Sequence, residues 1–193
     1  MRVIPLYTRP LDPLASHAVV APGGFERWEL QAVDAAQGLR VVVAFVLGDL
    51  SIAEYGRQYR RFLRNPTRVS PPLPAKFPTI NCSIYRNEKM VAVASMPISP
   101  AQATASVTAF DVRFGASRCW REGHGTIYLN VSLPGTAVPQ LDLTFRPYGP
   151  AYSAQGSGRF RVAQDPHEQH THFSGTGRVA YAFGTAPARG AQQ

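Results

Sequence analysis

Leu39-Arg40-Val41-Val42-Val43-Ala44-Phe45-Val46-Leu47-Gly48 runs directly into Asp49-Leu50-Ser51-Ile52-Ala53-Glu54-Tyr55-Gly56-Arg57-Gln58-Tyr59-Arg60-Arg61-Phe62-Leu63-Arg64. The first stretch is almost continuously apolar and rich in β-branched side chains, as in a strand covered on both sides. The second changes period. At the helical repeat of about 100° per residue, Ile52, Tyr55, Tyr59, Phe62 and Leu63 gather on one face. Arg57, Arg60, Arg61, Arg64 and Arg68 gather on the other. Ser51 and Glu54 have the S-x-x-E spacing of a capping box, and Leu50 with Tyr55 that of a hydrophobic staple. Pro66 stops the helix.

Outward from this junction the chain reads as β. Glu26 to Val33 and Leu39 to Leu47 flank a turn at Asp34–Gly38, and Thr79–Tyr85 and Met90–Met96 flank another at Arg86-Asn87-Glu88-Lys89. Phe110, Val112 and Phe114 alternate with Asp111 and Arg113. Ile127, Leu129, Val131 and Leu133 alternate with Tyr128, Asn130 and Ser132, and Leu141, Leu143 and Phe145 with Asp142, Thr144 and Arg146. Phe160–Val162 and Val179–Phe183 add two weaker candidates. Period-2 segments separated by turn residues, with one helix among them, predict an all-β chain: an antiparallel β-barrel or sandwich with one short amphipathic helix. The expected organisation is an extended, proline-punctuated lead-in over 1–23, one β domain over 24–184 and a frayed tail over 185–193.

The chain has 193 residues, and 20 basic against 12 acidic residues give a net charge of +8; only Lys76 and Lys89 of the basic residues are lysines. Basic residues interleaved with stacking aromatics, or a known reading motif, would mark a nucleic-acid binder. Neither is found, so nucleic acid is set aside as a partner. An anionic membrane surface makes better use of Arg57, Arg60, Arg61 and Arg64, at about 1 kcal/mol for each arginine held near it. The simplest use of the same helix is packing on the β domain with its arginines in water. Cys82 and Cys119 make no disulfide framework, and Cys82 shares the parity of Ile80 and Ile84, as a small buried residue would. No signal-peptide h-region and no apolar run long enough to span a bilayer is found, so the expected place is the cytoplasm, peripheral at a membrane face.

Several segments, taken in order, resemble the carotenoid 1,2-hydratase (hydroxyneurosporene synthase) family and its lipocalin-like relatives. Glu26-Arg27-Trp28-Glu29-Leu30-Gln31-Ala32 resembles the family's E-W-W-Y-F-D-A strand, with Arg27 in place of one tryptophan and Gln31 in place of the aspartate. Phe45-Val46-Leu47-Gly48, then Ser51 to Tyr55 and the basic stretch, follow the family's order. Ser83-Ile84-Tyr85-Arg86-Asn87-Glu88-Lys89 resembles its later hairpin. Val112-Arg113-Phe114-Gly115-Ala116-Ser117-Arg118 and Leu141-Asp142-Leu143-Thr144-Phe145-Arg146-Pro147 resemble two of its strand ends. The resemblance implies a lipocalin-like barrel, which in the full-length family is followed by a second. It also implies a hydratase or cyclase acting on a long apolar isoprenoid or polyene, by adding water to a terminal C=C bond.

Such hydration needs a carboxyl strong enough to protonate carbon, in apolar surroundings, with aromatic faces to stabilise the cation. Glu26 and Asp111 are the candidate acids, though each is expected first as a solvent-facing strand residue. Trp28, Gln31, Tyr55, Tyr85 and Trp120 are the candidate ligand-binding residues, with core packing as the plainer role of the aromatics. Asp165-Pro166-His167-Glu168-Gln169-His170-Thr171-His172 is the one metal-like cluster. His167, His170 and His172 could form a facial site, but a solvated turn fits the segment better, and no cofactor is expected. The alternative to an enzyme is a non-catalytic lipocalin-like module that binds an apolar ligand at a membrane surface. Both readings require a β-container with a greasy interior.

Overall fold

The structure, a computed structural model, describes residues 14–123, 125–147, 159–161 and 175–182. Two antiparallel sheets carry the fold. In the first, the order is β10 (Arg159–Arg161), β1 (Phe25–Asp34), β2 (Leu39–Leu47), β3 (Pro78–Arg86) and β4 (Lys89–Pro97). In the second it is β11 (Gly175–Ala182), β9 (Gln140–Pro147), β8 (Ile127–Val131), β7 (Ser117–Arg121), β6 (Asp111–Phe114) and β5 (Ala103–Ala105). The chain meanders from neighbour to neighbour, and the sheets are not joined into one closed barrel among the described residues. One α-helix, α1 (Ala53–Arg64), interrupts the meander between β2 and β3.

Alternation sorts each strand into an inner and an outer row. Trp28 and Leu30 of β1, Val41, Val43 and Phe45 of β2, and Ile80, Cys82 and Ile84 of β3 face inward. They meet Val112, Phe114, Cys119, Ile127, Leu129, Val131, Leu141 and Leu143 of the other sheet. The Phe45 and Phe114 rings cross edge to face at 5.4 Å, tying the sheets together at mid-depth. Val43, Phe45, Ile80, Cys82, Phe114, Cys119 and Val131 have no accessible surface. A side chain beside a space that admits water keeps some, so the centre is filled by these residues themselves. Cys82 and Cys119 are free thiols buried within it, as the parity of Cys82 predicted.

Strand β2 is buried continuously from Val43 to Val46, the two-sided covering expected of its sequence. Gly48 ends it in a left-handed conformation at φ 77°, and a Cβ there would stand 2.6 Å from Pro74 and 2.8 Å from the Gly24 carbonyl. Only glycine fits both demands. At the opposite end, Asn87 and Glu88 both take positive φ in the β3–β4 turn, the form that suits a tight hairpin. The Asn87 N–H donates to the Gly38 carbonyl at 2.7 Å and joins the two hairpin tips.

Residues 14–21 do not trail along the surface. Leu14, Ala15, Ser16, His17, Val19 and Ala21 are all buried. The Trp28 indole N–H donates to the Leu14 carbonyl at 2.9 Å, and the Ser16 N–H donates to the Ser106 carbonyl, just beyond β5, at 2.8 Å. This strap therefore reaches from a strand of one sheet to the other sheet. No helix among the described residues is long and apolar enough to cross a membrane.

Candidate functional site

Glu26 is where the structure departs most from the sequence reading. It is buried, at 2% exposure, on the inner row with Trp28 and Leu30 rather than facing solvent. Parity held the signal: a residue two before Trp28 and four before Leu30 shares their side of the strand. Its Oε2 accepts from the Ser16 hydroxyl at 2.9 Å, and its Oε1 accepts from the His17 backbone N–H at 2.5 Å. The His17 Nδ1 lies 3.1 Å from the same Oε1. Ser16 and His17, absent from the sequence-based candidates, thus complete a buried Ser–His–Glu cluster. The serine points at the carboxylate rather than at the imidazole, so this is no nucleophile–base relay. What the arrangement does is anchor the strap, since both carboxylate oxygens are taken by donors of two consecutive residues.

Asp111 stays on the outer row, as alternation predicted. Arg118 forks onto it with two bonds of 2.9 Å, and those bonds hold its carboxyl below the ordinary range. The aromatic candidates are not assembled around one cavity. Trp28 is in the core with its indole N–H spent on Leu14. Gln31 is exposed, on the outer row of the same strand. Tyr85 lies on the outer row of β3 under the Arg40 guanidinium, 4.2 Å from its ring centre. Trp120 lies on the outer row of β7, stacked on Tyr128 at 5.2 Å with Arg118 over it at 4.6 Å. His167, His170 and His172 lie outside the described residues.

Tyr55 belongs to α1 and is fully buried. Its hydroxyl donates to the Gly24 carbonyl at 2.8 Å and its ring packs on Phe77 at 4.7 Å. Burial raises its pKa far above the ordinary tyrosine value. Gly56 is the other buried residue of α1, where a Cβ would meet the Leu50 carbonyl at 2.9 Å. Tyr55 ties the first turn to Gly24 and Phe77, just before β1 and β3, and burial falls off along the rest of the helix. Tyr59 and Phe62 are half-buried, Leu63 is 52% exposed, and Leu50 just before the helix is 42% exposed. Arg57, Arg60, Arg61 and Arg64 are all exposed. Of these four, Arg57 alone has a carboxylate partner among the described residues, Glu54.

The start of α1 corrects the capping expectation. Ile52 is the N-cap and no side chain caps the helix. Asp49 shapes the entry instead, its Oδ1 accepting the Ser51 N–H at 2.8 Å and its carbonyl the Ile52 N–H at 3.0 Å. Glu54 turns away toward Arg57 and Gln58, whose hydrogen bonds lower its pKa. Leu50 is too exposed to staple Tyr55, whose partners are Gly24 and Phe77. The helix ends at Arg64, with Pro66 just beyond, as expected.

Comparison of the chain with known proteins finds no matching family model, no matching curated protein and no matching solved structure.

Proposed function

We propose that this chain is a non-catalytic, lipocalin-like binding module that docks on an anionic membrane surface through α1 and holds an apolar ligand at that surface, outside its filled centre. The observation that carries the reading is the condition of one helix. Arg57, Arg60, Arg61 and Arg64 are exposed beside Leu63, whose side chain is also left in water. A helix that merely covered the sandwich would bury its apolar stripe, whereas an interfacial helix keeps part of that stripe for the acyl boundary. Four arginines at about 1 kcal/mol each favour an anionic surface by roughly a thousandfold, before the leucine contributes.

The test is co-sedimentation with vesicles of pure phosphatidylcholine and of phosphatidylcholine with phosphatidylserine. The parent protein is expected to partition onto the anionic vesicles and to leave them as salt is raised. Replacing Arg57, Arg60, Arg61 and Arg64 together by Gln should cut that partitioning by about two to three decades, with an unchanged melting curve. Equal partitioning of variant and parent removes the membrane reading.

A second reading, hydration of a terminal C=C of an isoprenoid, rests on the family resemblance and on Glu26 facing inward in line with Trp28. Here Glu26 is the acid, and the substrate has to displace Ser16 from it. Incubation with a carotenoid bearing acyclic end groups separates the readings. A mass gain of one water, lost in Glu26→Gln, supports the enzyme; binding without mass gain supports the module.

A further inference from the structure

Strand β4 has an open side. It pairs with β3, and no described strand lies beyond it. Edges of this kind expose a row of unpaired N–H and C=O groups, and folded proteins guard them with charge, proline, bulges or short length. The second sheet's β5 edge is only three residues long, Ala103–Ala105. The β4 edge is nine, and its guards stand at its ends: Lys89 at one, Pro97 at the other, and a register shift at Ile84/Tyr85 that displaces the pairing beside Val91. Between Ala92 and Met96 none of the described residues guards it. The outer row here runs Val91 at 56% exposure, Val93 at 58% and then the exposed Ser95.

We propose that a second copy of this chain adds its own β4 to this edge, antiparallel, about a two-fold axis through Val93. The strand Met90-Val91-Ala92-Val93-Ala94-Ser95-Met96 is nearly palindromic about Val93. In the symmetric register Val91 faces Ser95 of the second copy, Ala92 faces Ala94, and Val93 faces itself. An isologous contact requires such self-complementarity, because each residue meets its own mirror position. From Val91 to Ser95 the register keeps outer residues opposite outer ones, so Val91 and Val93 of the two copies lie together across the joint, while Met90, opposite the outer Tyr85 across the register shift, falls outside this ladder. Charge limits where two copies can meet. A chain at +8 repels its own copies over most of its surface. β4 carries no charge except Lys89, and the register sets Lys89 against Pro97, so no like charges meet. The paired edge is hence the strip on which two copies approach without local repulsion.

The experiment is sedimentation velocity of the full chain from low to high micromolar concentration, with the Val93→Lys variant alongside. The parent is expected to form a dimer that strengthens as salt screens the net charge, the reverse of the salt response of vesicle binding. Val93→Lys sets two ammonium groups face to face on the axis and should leave only monomer, its melting curve matching the parent's. A Val93→Cys variant, whose native cysteines are buried, should be joined through residue 93 of both copies by a short bismaleimide. A parent that stays monomeric throughout, a dimer that survives Val93→Lys, or a Val93→Cys chain that does not crosslink overturns the proposal.

Discussion

Glu26 receives two donors from neighbouring residues of the strap, and a glutamine in its place could accept only one of them. The other would be left facing an amide N–H₂ in a buried site. Glu26→Gln is therefore expected to cost about 1.5–3 kcal/mol and Ser16→Ala about 1 kcal/mol, because a hydrogen bond to a charged acceptor outweighs a neutral one. Urea midpoints at constant slope measure both, and an unchanged midpoint for Glu26→Gln would deny the carboxylate its anchoring role. The buried thiols make a pH prediction. Burial pushes Cys82 up from 9.0 to about 12 and carries Cys119 upward in the same direction. The folded chain keeps these protons where the unfolded chain releases them. Stability from this source is complete below about pH 9 and declines as pH rises toward about 12. Urea midpoints across that range should fall, less steeply in Cys82→Ala, and at neutral pH a thiol reagent should label either cysteine only after unfolding. The inward place of Glu26 could be read from its parity with Trp28 and Leu30. Its partners could not, because nothing local to Ser16 and His17 announces contact with a residue ten positions on.

At the level of elements, α1 shows where pattern and structure part. The helix and its two faces were legible from the spacing of tyrosines and arginines, and the proline stop was obeyed. The cap was not, because an S-x-x-E spacing states only that a box could close. The helix begins at Ala53, so Glu54 lies too early to reach back, and Arg57 and Gln58 compete for it on its own face. Ser51→Ala should accordingly change stability by less than about 0.5 kcal/mol, as ordinary surface substitutions do. Asp49→Ala, which removes the acceptor of the Ser51 N–H, should cost about 1 kcal/mol. Thermal melts of the two variants compare them directly, and the reverse order would restore the capping box. Strand β7 escaped the sequence reading for a different reason. Its inner row is Ser117 and Cys119, small and weakly apolar, while its large residues Arg118 and Trp120 face outward. Ser117 is at home there because its hydroxyl bridges to Ser132, donating to the carbonyl at 3.1 Å and accepting the N–H at 2.9 Å. Such a pairing cannot be seen before the strands are aligned.

For the whole molecule, the class was legible because most strands alternate cleanly, and alternation, being the same in a barrel and in a sandwich, names no more than that class. The face-to-face arrangement rests on contacts such as Phe45 with Phe114. Truncating either to alanine should cost about 3–5 kcal/mol, and a double-mutant cycle should return a coupling of about 0.5–1.5 kcal/mol. A coupling near zero would mean that the sheets are held by other contacts. The strap has a consequence for how the chain is made. Leu14 to Val19 are translated long before Ser106, yet their seat includes the Ser106 carbonyl as well as Trp28 and Glu26. During synthesis this early segment cannot complete its seat until the ribosome has released Ser106, just past the edge strand β5 of the second sheet. Pairings so distant in sequence form slowly, which sets the final docking of the strap late in folding.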